Sequence, residues 1–171
     1  DMFTPSDETV IFIPYKDDVE GRIATTDYFG EIPEDRINYE NGELFFKADG
    51  KSRGKLGIAP ERATTVAGSY DAKNKVLTIT TFDVDNDAIY LNQEWTPKKD
   101  PLKGDAVNAY NDGPFYEIES VSPAAFLEPS EKLSHNHNVF HFTGNEKELN
   151  EISQQVLGVS LNKISSAFKN K

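Results

Sequence analysis

Glu117 and Glu119 occupy alternate positions in Phe115-Tyr116-Glu117-Ile118-Glu119-Ser120, a run whose aromatic and branched side chains predict a strand. Alternation puts both carboxylates on one face and Tyr116 and Ile118 on the other. Adjacent carboxylates repel, which raises one of their pKa values and suits general acid or base work. The same spacing also makes an ordinary solvated strand face. A second group is histidine. His135 and His137 share one side of a predicted strand over residues 133–143, and His141 lies two pleats further along. Neutral imidazoles so placed can ligate a divalent transition metal. The plainer reading makes them an outward polar face, with Phe140 and Phe142 buried on the opposite side.

A third group is acidic. Asp83-Val84-Asp85-Asn86-Asp87, with Glu94 beyond it, places acids at positions one, three, five and twelve of a calcium-binding loop. Position six is Ala88 where the sharp turn needs glycine, and the flanks read as strands, so the segment is expected to be an acidic hairpin tip.

Composition removes several chemistries. Without cysteine there is no disulfide, no thiolate metal site and no cysteine nucleophile. The formal charge of −11 repels phosphate backbones and anionic bilayers, so neither nucleic acid nor membrane is expected as a partner. No stretch approaches the roughly 20 apolar residues of a spanning helix. The absence of cysteine is compatible with an oxidising compartment, and the chain opens on Asp1-Met2-Phe3 with no basic or apolar leader pattern. Localisation stays open, with a lean towards the outside of the cell.

The elements that must position these groups are mostly strands. A length of 171 residues fits one domain, and short β-prone runs recur over residues 9–15, 22–28, 43–48, 64–70, 76–82 and 88–95, separated by turn residues such as Asn41-Gly42 and Asp49-Gly50. A Pro- and Lys-rich loop over 96–105 leads to the turn signal Asn111-Asp112-Gly113-Pro114. Helical periodicity is confined to the tail: Asn145 caps a helix carrying Leu149, Ile152 and Val156, ended by Gly158, and Leu161, Ile164 and Phe168 suggest a shorter one. The fold class read from this is all-β, an antiparallel β-sandwich with strands to about residue 143 and a C-terminal helical segment over 145–168.

Tyr116-Glu117-Ile118-Glu119-Ser120, then Ser122-Pro123, Leu127-Glu128-Pro129-Ser130-Glu131 and a last strand ending Val139-Phe140-His141-Phe142, resembles the end of aldose 1-epimerases. In that family a strand with an apolar-Glu-Ser/Thr motif precedes a Pro-bearing loop, a Leu-x-Pro-Gly-Glu turn and a final strand. Residues 21–161 are more similar still to an uncharacterised galactose-mutarotase-like branch found in Bacteroidetes, through Gly21-Arg22-Ile23-Ala24-Thr25-Thr26-Asp27-Tyr28-Phe29-Gly30, Ala67-Gly68-Ser69-Tyr70-Asp71, Tyr110-Asn111-Asp112-Gly113-Pro114 and Leu157-Gly158-Val159-Ser160-Leu161.

The resemblance implies a mutarotase-like supersandwich or half of one, a sugar ligand, no cofactor, and Glu119 as the base that takes the anomeric proton. The expected sugar-binding set is Arg22, Lys55, Trp95, Asn108, Asn111, Asp112, Glu117, His135 and His137. Two departures matter. Thr26 stands where the family carries its acid histidine, and the family's supersandwich is much longer than this chain. A missing N-terminal half or a homo-oligomer is therefore an expectation, and a non-catalytic carbohydrate-binding or assembly domain is the rival. Pro129-Ser130-Glu131-Lys132-Leu133-Ser134-His135-Asn136-His137 also resembles the first metal motif of cupins, which would use His135, His137 and His141. No second histidine motif follows it.

Overall fold

The computed structural model describes residues 2–93 and 100–169. Ten strands run in chain order: β1 (Met2–Phe3), β2 (Thr9–Pro14), β3 (Ile37–Glu40), β4 (Glu43–Lys47), β5 (Gly54–Ile58), β6 (Val66–Asp71), β7 (Val76–Phe82), β8 (Val107–Asp112), β9 (Phe115–Ser120) and β10 (His137–Thr143). They form a four-stranded sheet in the order β1-β9-β8-β5 and a six-stranded sheet in the order β10-β7-β6-β2-β4-β3, with every strand pair antiparallel. Helices α1 (Glu146–Val156) and α2 (Leu161–Ser166) close the chain. This is the all-β sandwich expected from the strand rhythm, with helix confined, among the described residues, to the C-terminal segment.

The six-stranded sheet is covered on both faces. Ile11, Ile13, Leu44, Phe46 and Phe82 face the other sheet and pack with Leu56, Ile58, Val107, Ala109, Tyr116 and Ile118. Val10, Phe12, Phe45, Leu77 and Ile79 face outward and pack beneath Leu149, Leu157, Leu161 and Ile164 of the helical segment. Double burial is why β2 reads as a nearly unbroken apolar run, Thr-Val-Ile-Phe-Ile-Pro, instead of alternating. The helices are fixed by their ends. Asn145 Oδ1 accepts from Glu148 N, Gly158 takes the left-handed conformation (φ +75°) after α1, and Ser160 caps α2. Asn150 Oδ1 then accepts from Leu161 N at 2.9 Å, joining the two.

The structure corrects several element readings. Residues 22–28 do not form a strand: Gly21 and Gly30 turn the chain at positive φ, the Arg22 guanidinium donates to Thr26 and Asp27, and the segment makes isolated bridges, from Thr25 to Gly57 on the free edge of β5 and from Tyr28 to Gly30. Residues 88–93 are likewise irregular, with a single bridge from buried Tyr90 to Lys103, and the rest of that expected strand lies outside the described residues. The acidic segment is therefore no hairpin tip. Asp83 accepts from the Asn136 backbone and side chain, and Asn86 donates to the Pro60 and Ala63 carbonyls. Strands β3, β5 and β8 were not legible. Glycine at positions 54 and 57 disguises β5, and Asn108, Asn111 and Asp112 give β8 the composition of a loop.

The burial expected of residues 133–143 is also reversed. Alternation holds, but β10 is an edge strand, so Phe140 is 46% exposed and only Phe142 packs against the helical layer. His135 and His137 are half-buried and point towards the four-stranded sheet, where both rings meet Ser120.

Because Ile164 is fully buried between α2 and the six-stranded sheet, Ile164→Ala is expected to destabilise the fold by about 2–5 kcal/mol, read as a lower urea midpoint at unchanged slope. An unchanged midpoint would show that the helices are not part of the cooperative unit.

Candidate functional site

The outer face of the four-stranded sheet carries polar residues, set by alternation with the core. Leu56, Val107, Ala109, Tyr116 and Ile118 point inward, so Lys55, Asn108, Tyr110, Glu117 and Glu119 point out. Register brings them together: Lys55 pairs with Tyr110, Tyr110 with Glu117, and Asn108 with Glu119. Lys55 Nζ reaches diagonally across β8 and donates to Glu119 at 2.9 and 3.2 Å. A third bond runs to Gln93 Oε1 at 3.2 Å. Both charged side chains are largely covered, at 13% and 23% exposure, so the pair is not a loosely solvated surface contact.

Asn108 lies in the middle of this arrangement. Its side chain is fully buried, and among the described residues neither Nδ2 nor Oδ1 has a hydrogen-bond partner. Such a group costs desolvation with no return, so it marks either strain or a place where a ligand supplies the missing bonds. The Lys55 ammonium also lies 5.6 Å from the Tyr28 ring, and the Tyr28 hydroxyl donates to Asp105 Oδ2 at 2.5 Å. Gly57 makes room for Asp105: a Cβ there would collide with its carboxyl group. The Glu117 carboxyl is pushed above the ordinary glutamate range, first by burial and then by its hydrogen bond to and repulsion from Glu119.

Of the residues expected at a sugar site, Lys55, Asn108, Glu117 and Glu119 converge on this face. The others fall elsewhere. Arg22 sits on the turn before Thr25 and is spent on Thr26 and Asp27. Asn111 faces the other way and holds the β4–β5 connection through Gly50 N and the Ser52 carbonyl. Asp112 accepts from the Tyr110 hydroxyl at 2.7 Å, at the end of β8 remote from Asn108, where Arg53 stacks on Phe29. His135 and His137 lie on the inner side of β9, and Trp95 is outside the described residues. Sequence reasoning missed Tyr28, Gln93 and Asp105 as residues of this face. Gly57 was the available signal, since a glycine inside a strand marks close approach by another group.

These features define an antiparallel sandwich with one polar sheet face built around a largely covered ion pair. The chain belongs to a family of unknown function, DUF6786, which matches residues 1–168. No curated protein and no solved structure matches it.

Replacing Asn108 by leucine removes, at similar volume, a buried amide that has no partner among the described residues. Asn108→Leu is expected to raise the unfolding free energy by about 1 kcal/mol or more in urea titration. A loss of stability would show that the amide is satisfied in solution. The carboxylates give a pH signature. Since the Glu117 pKa is raised in the folded state, its ionisation detracts from stability as pH rises from the ordinary value of 4.5 through the raised folded value, and fully above it. Glu117→Gln is therefore expected to be more stable than wild type at neutral pH, with the ionisation penalty gone from both proteins below about pH 4. A difference that does not change with pH would sink this assignment.

Proposed function

We propose that the chain is a carbohydrate-binding domain of the galactose-mutarotase-like kind, whose sugar lies against Glu119 and Lys55 on the outer face of the four-stranded sheet. The largely covered Lys55–Glu119 pair, with the Glu117 carboxyl beside Glu119 on the same sheet face, carries this reading. An ammonium–carboxylate pair offers donors and acceptors side by side, the complement of two vicinal hydroxyls. A sugar is the ligand class that presents such hydroxyls on adjacent carbons. Tyr28 adds an aromatic ring at the border.

On this reading the chemistry is aldose 1-epimerisation. Glu119, as carboxylate, takes the proton of the anomeric hydroxyl while the bond between C1 and the ring oxygen breaks, and the ring oxygen takes a proton from an acid. The family histidine is absent, and Glu117 supplies the acid: burial and then its hydrogen bond to Glu119 raise its pKa, so it holds a proton more tightly than an ordinary glutamate. The product is the open-chain aldehyde. After rotation about the C1–C2 bond the same two protons return in reverse, the ring closes as the other anomer, and both carboxyl groups are restored.

The ion pair itself favours one rival. Lys55 engages both oxygens of Glu119, an arrangement that holds a ligand hydroxyl without needing to move a proton, as in a binding domain without catalysis.

Anomer exchange measured by NMR on common aldoses separates the two. Wild type is expected to accelerate exchange, and Glu119→Gln to abolish it with the fold intact, because the base is lost at nearly constant volume. Sugar binding without exchange would leave the binding domain. Binding of no aldose by wild type would overturn both.

A further inference from the structure

The inner side of β9 holds a second cluster, one residue from Glu119 but on the opposite face. Ser120 Oγ lies 2.7 Å from His135 Nε2 and 2.7 Å from His137 Nδ1. A hydroxyl has one proton, so it donates to one ring and accepts from the other, and the two nitrogens are already aimed at a common point. Convergence of two imidazole nitrogens and an oxygen is also what a transition metal asks for, with metal–nitrogen distances of about 2.0–2.1 Å for zinc.

The pair is held in place by the residue between them. Asn136 donates from both its backbone and its side chain to Asp83 Oδ2, at 2.9 and 2.8 Å, and its carbonyl accepts from Asp83 N at 3.1 Å. Phe82 stacks on the His137 ring with centroids 5.8 Å apart. Such outer contacts orient metal-binding imidazoles before the ion arrives. The chain as a whole carries −11, which favours cations at long range. His141 is not part of the cluster, since its Nδ1 bonds Thr78 Oγ1 at 3.0 Å, two pleats away.

We propose that His135 Nε2, His137 Nδ1 and Ser120 Oγ bind one divalent transition-metal ion, which clips edge strand β10 of one sheet to β9 of the other. Two imidazoles and a hydroxyl select zinc, nickel or copper over calcium or magnesium. Bound metal replaces the hydrogen bonds through Ser120 by coordination and stabilises the edge of the sandwich, because the folded chain brings Ser120 to the two imidazoles and so binds the ion more tightly than the unfolded chain.

The test is titration calorimetry of the full chain, free of any polyhistidine tag, with NiCl2 and separately with ZnCl2. Wild type is expected to take up one equivalent and to melt at a higher temperature with metal. His135→Ala should weaken uptake by about tenfold or more, while His141→Ala leaves it unchanged. Should the alanine variant not fold, line broadening of wild-type NMR resonances by substoichiometric Ni2+ serves instead, centred on Ser120, His135 and His137. No uptake by wild type, uptake indifferent to His135→Ala, equal loss in His141→Ala, or broadening centred elsewhere each overturns the site.

Discussion

The six-stranded sheet must bury both of its faces, and the rest of the molecule is arranged around that requirement. Strand β2 presents Ile11 and Ile13 to one side and Val10 and Phe12 to the other, so neither side can be left in water. The four-stranded sheet covers one face and the helical segment the other. The helices thus complete a layer and are not an appended tail: Leu149, Leu157, Leu161 and Ile164 are as deeply buried as the strand residues they cover. The four-stranded sheet has no such obligation. Its inner face completes the core, and its outer face is free to carry charge.

That freedom is used in a particular way. An ion pair on an exposed strand face contributes little, because water competes for both partners. Lys55 and Glu119 are instead mostly covered, with Gln93 taking part of the ammonium's hydrogen-bonding capacity. Between them Asn108 keeps a buried amide without partners among the described residues, and Gly57 gives up a side chain so that Asp105 can reach Tyr28. Each of these choices costs stability relative to an apolar alternative. Several in one place, on the one sheet face that the core does not need, are what a site looks like when the fold around it supplies the stability.

How far this was legible depended on whether local pattern or tertiary contact decides each element. Strands β2, β4, β6, β7 and β9 announce themselves because their own side chains are β-prone, and the outward direction of Glu117 and Glu119 follows from alternation alone. Strands β5 and β8 hide because their glycines and asparagines answer to tertiary contacts: Gly57 leaves room for Asp105, and Asn111 holds the β4–β5 connection. Lys55 and Asn108 were named from the sequence, but their meeting with Glu119 depends on the order β9-β8-β5, which no local pattern encodes. Tyr28 and Asp105 are 77 residues apart and needed the structure. The faces of β10 were read correctly as alternating and wrongly as to which is covered, since alternation gives two sides without saying what lies over either.

Strand β9 ties the two polar clusters to one backbone. Glu119 and Ser120 are successive residues, so they must point to opposite faces, one to the polar outer surface and one into the mouth of the sandwich against β10. A shift of β9 by one residue would exchange Tyr116 and Ile118 for Glu117 and Glu119 in the core, which the buried Tyr116–Ser69 hydrogen bond and the packing of Ile118 forbid. The register of one core strand therefore fixes where the carboxylates stand and where the serine meets the histidines. Neither cluster can move without the other, although a core layer separates their surroundings.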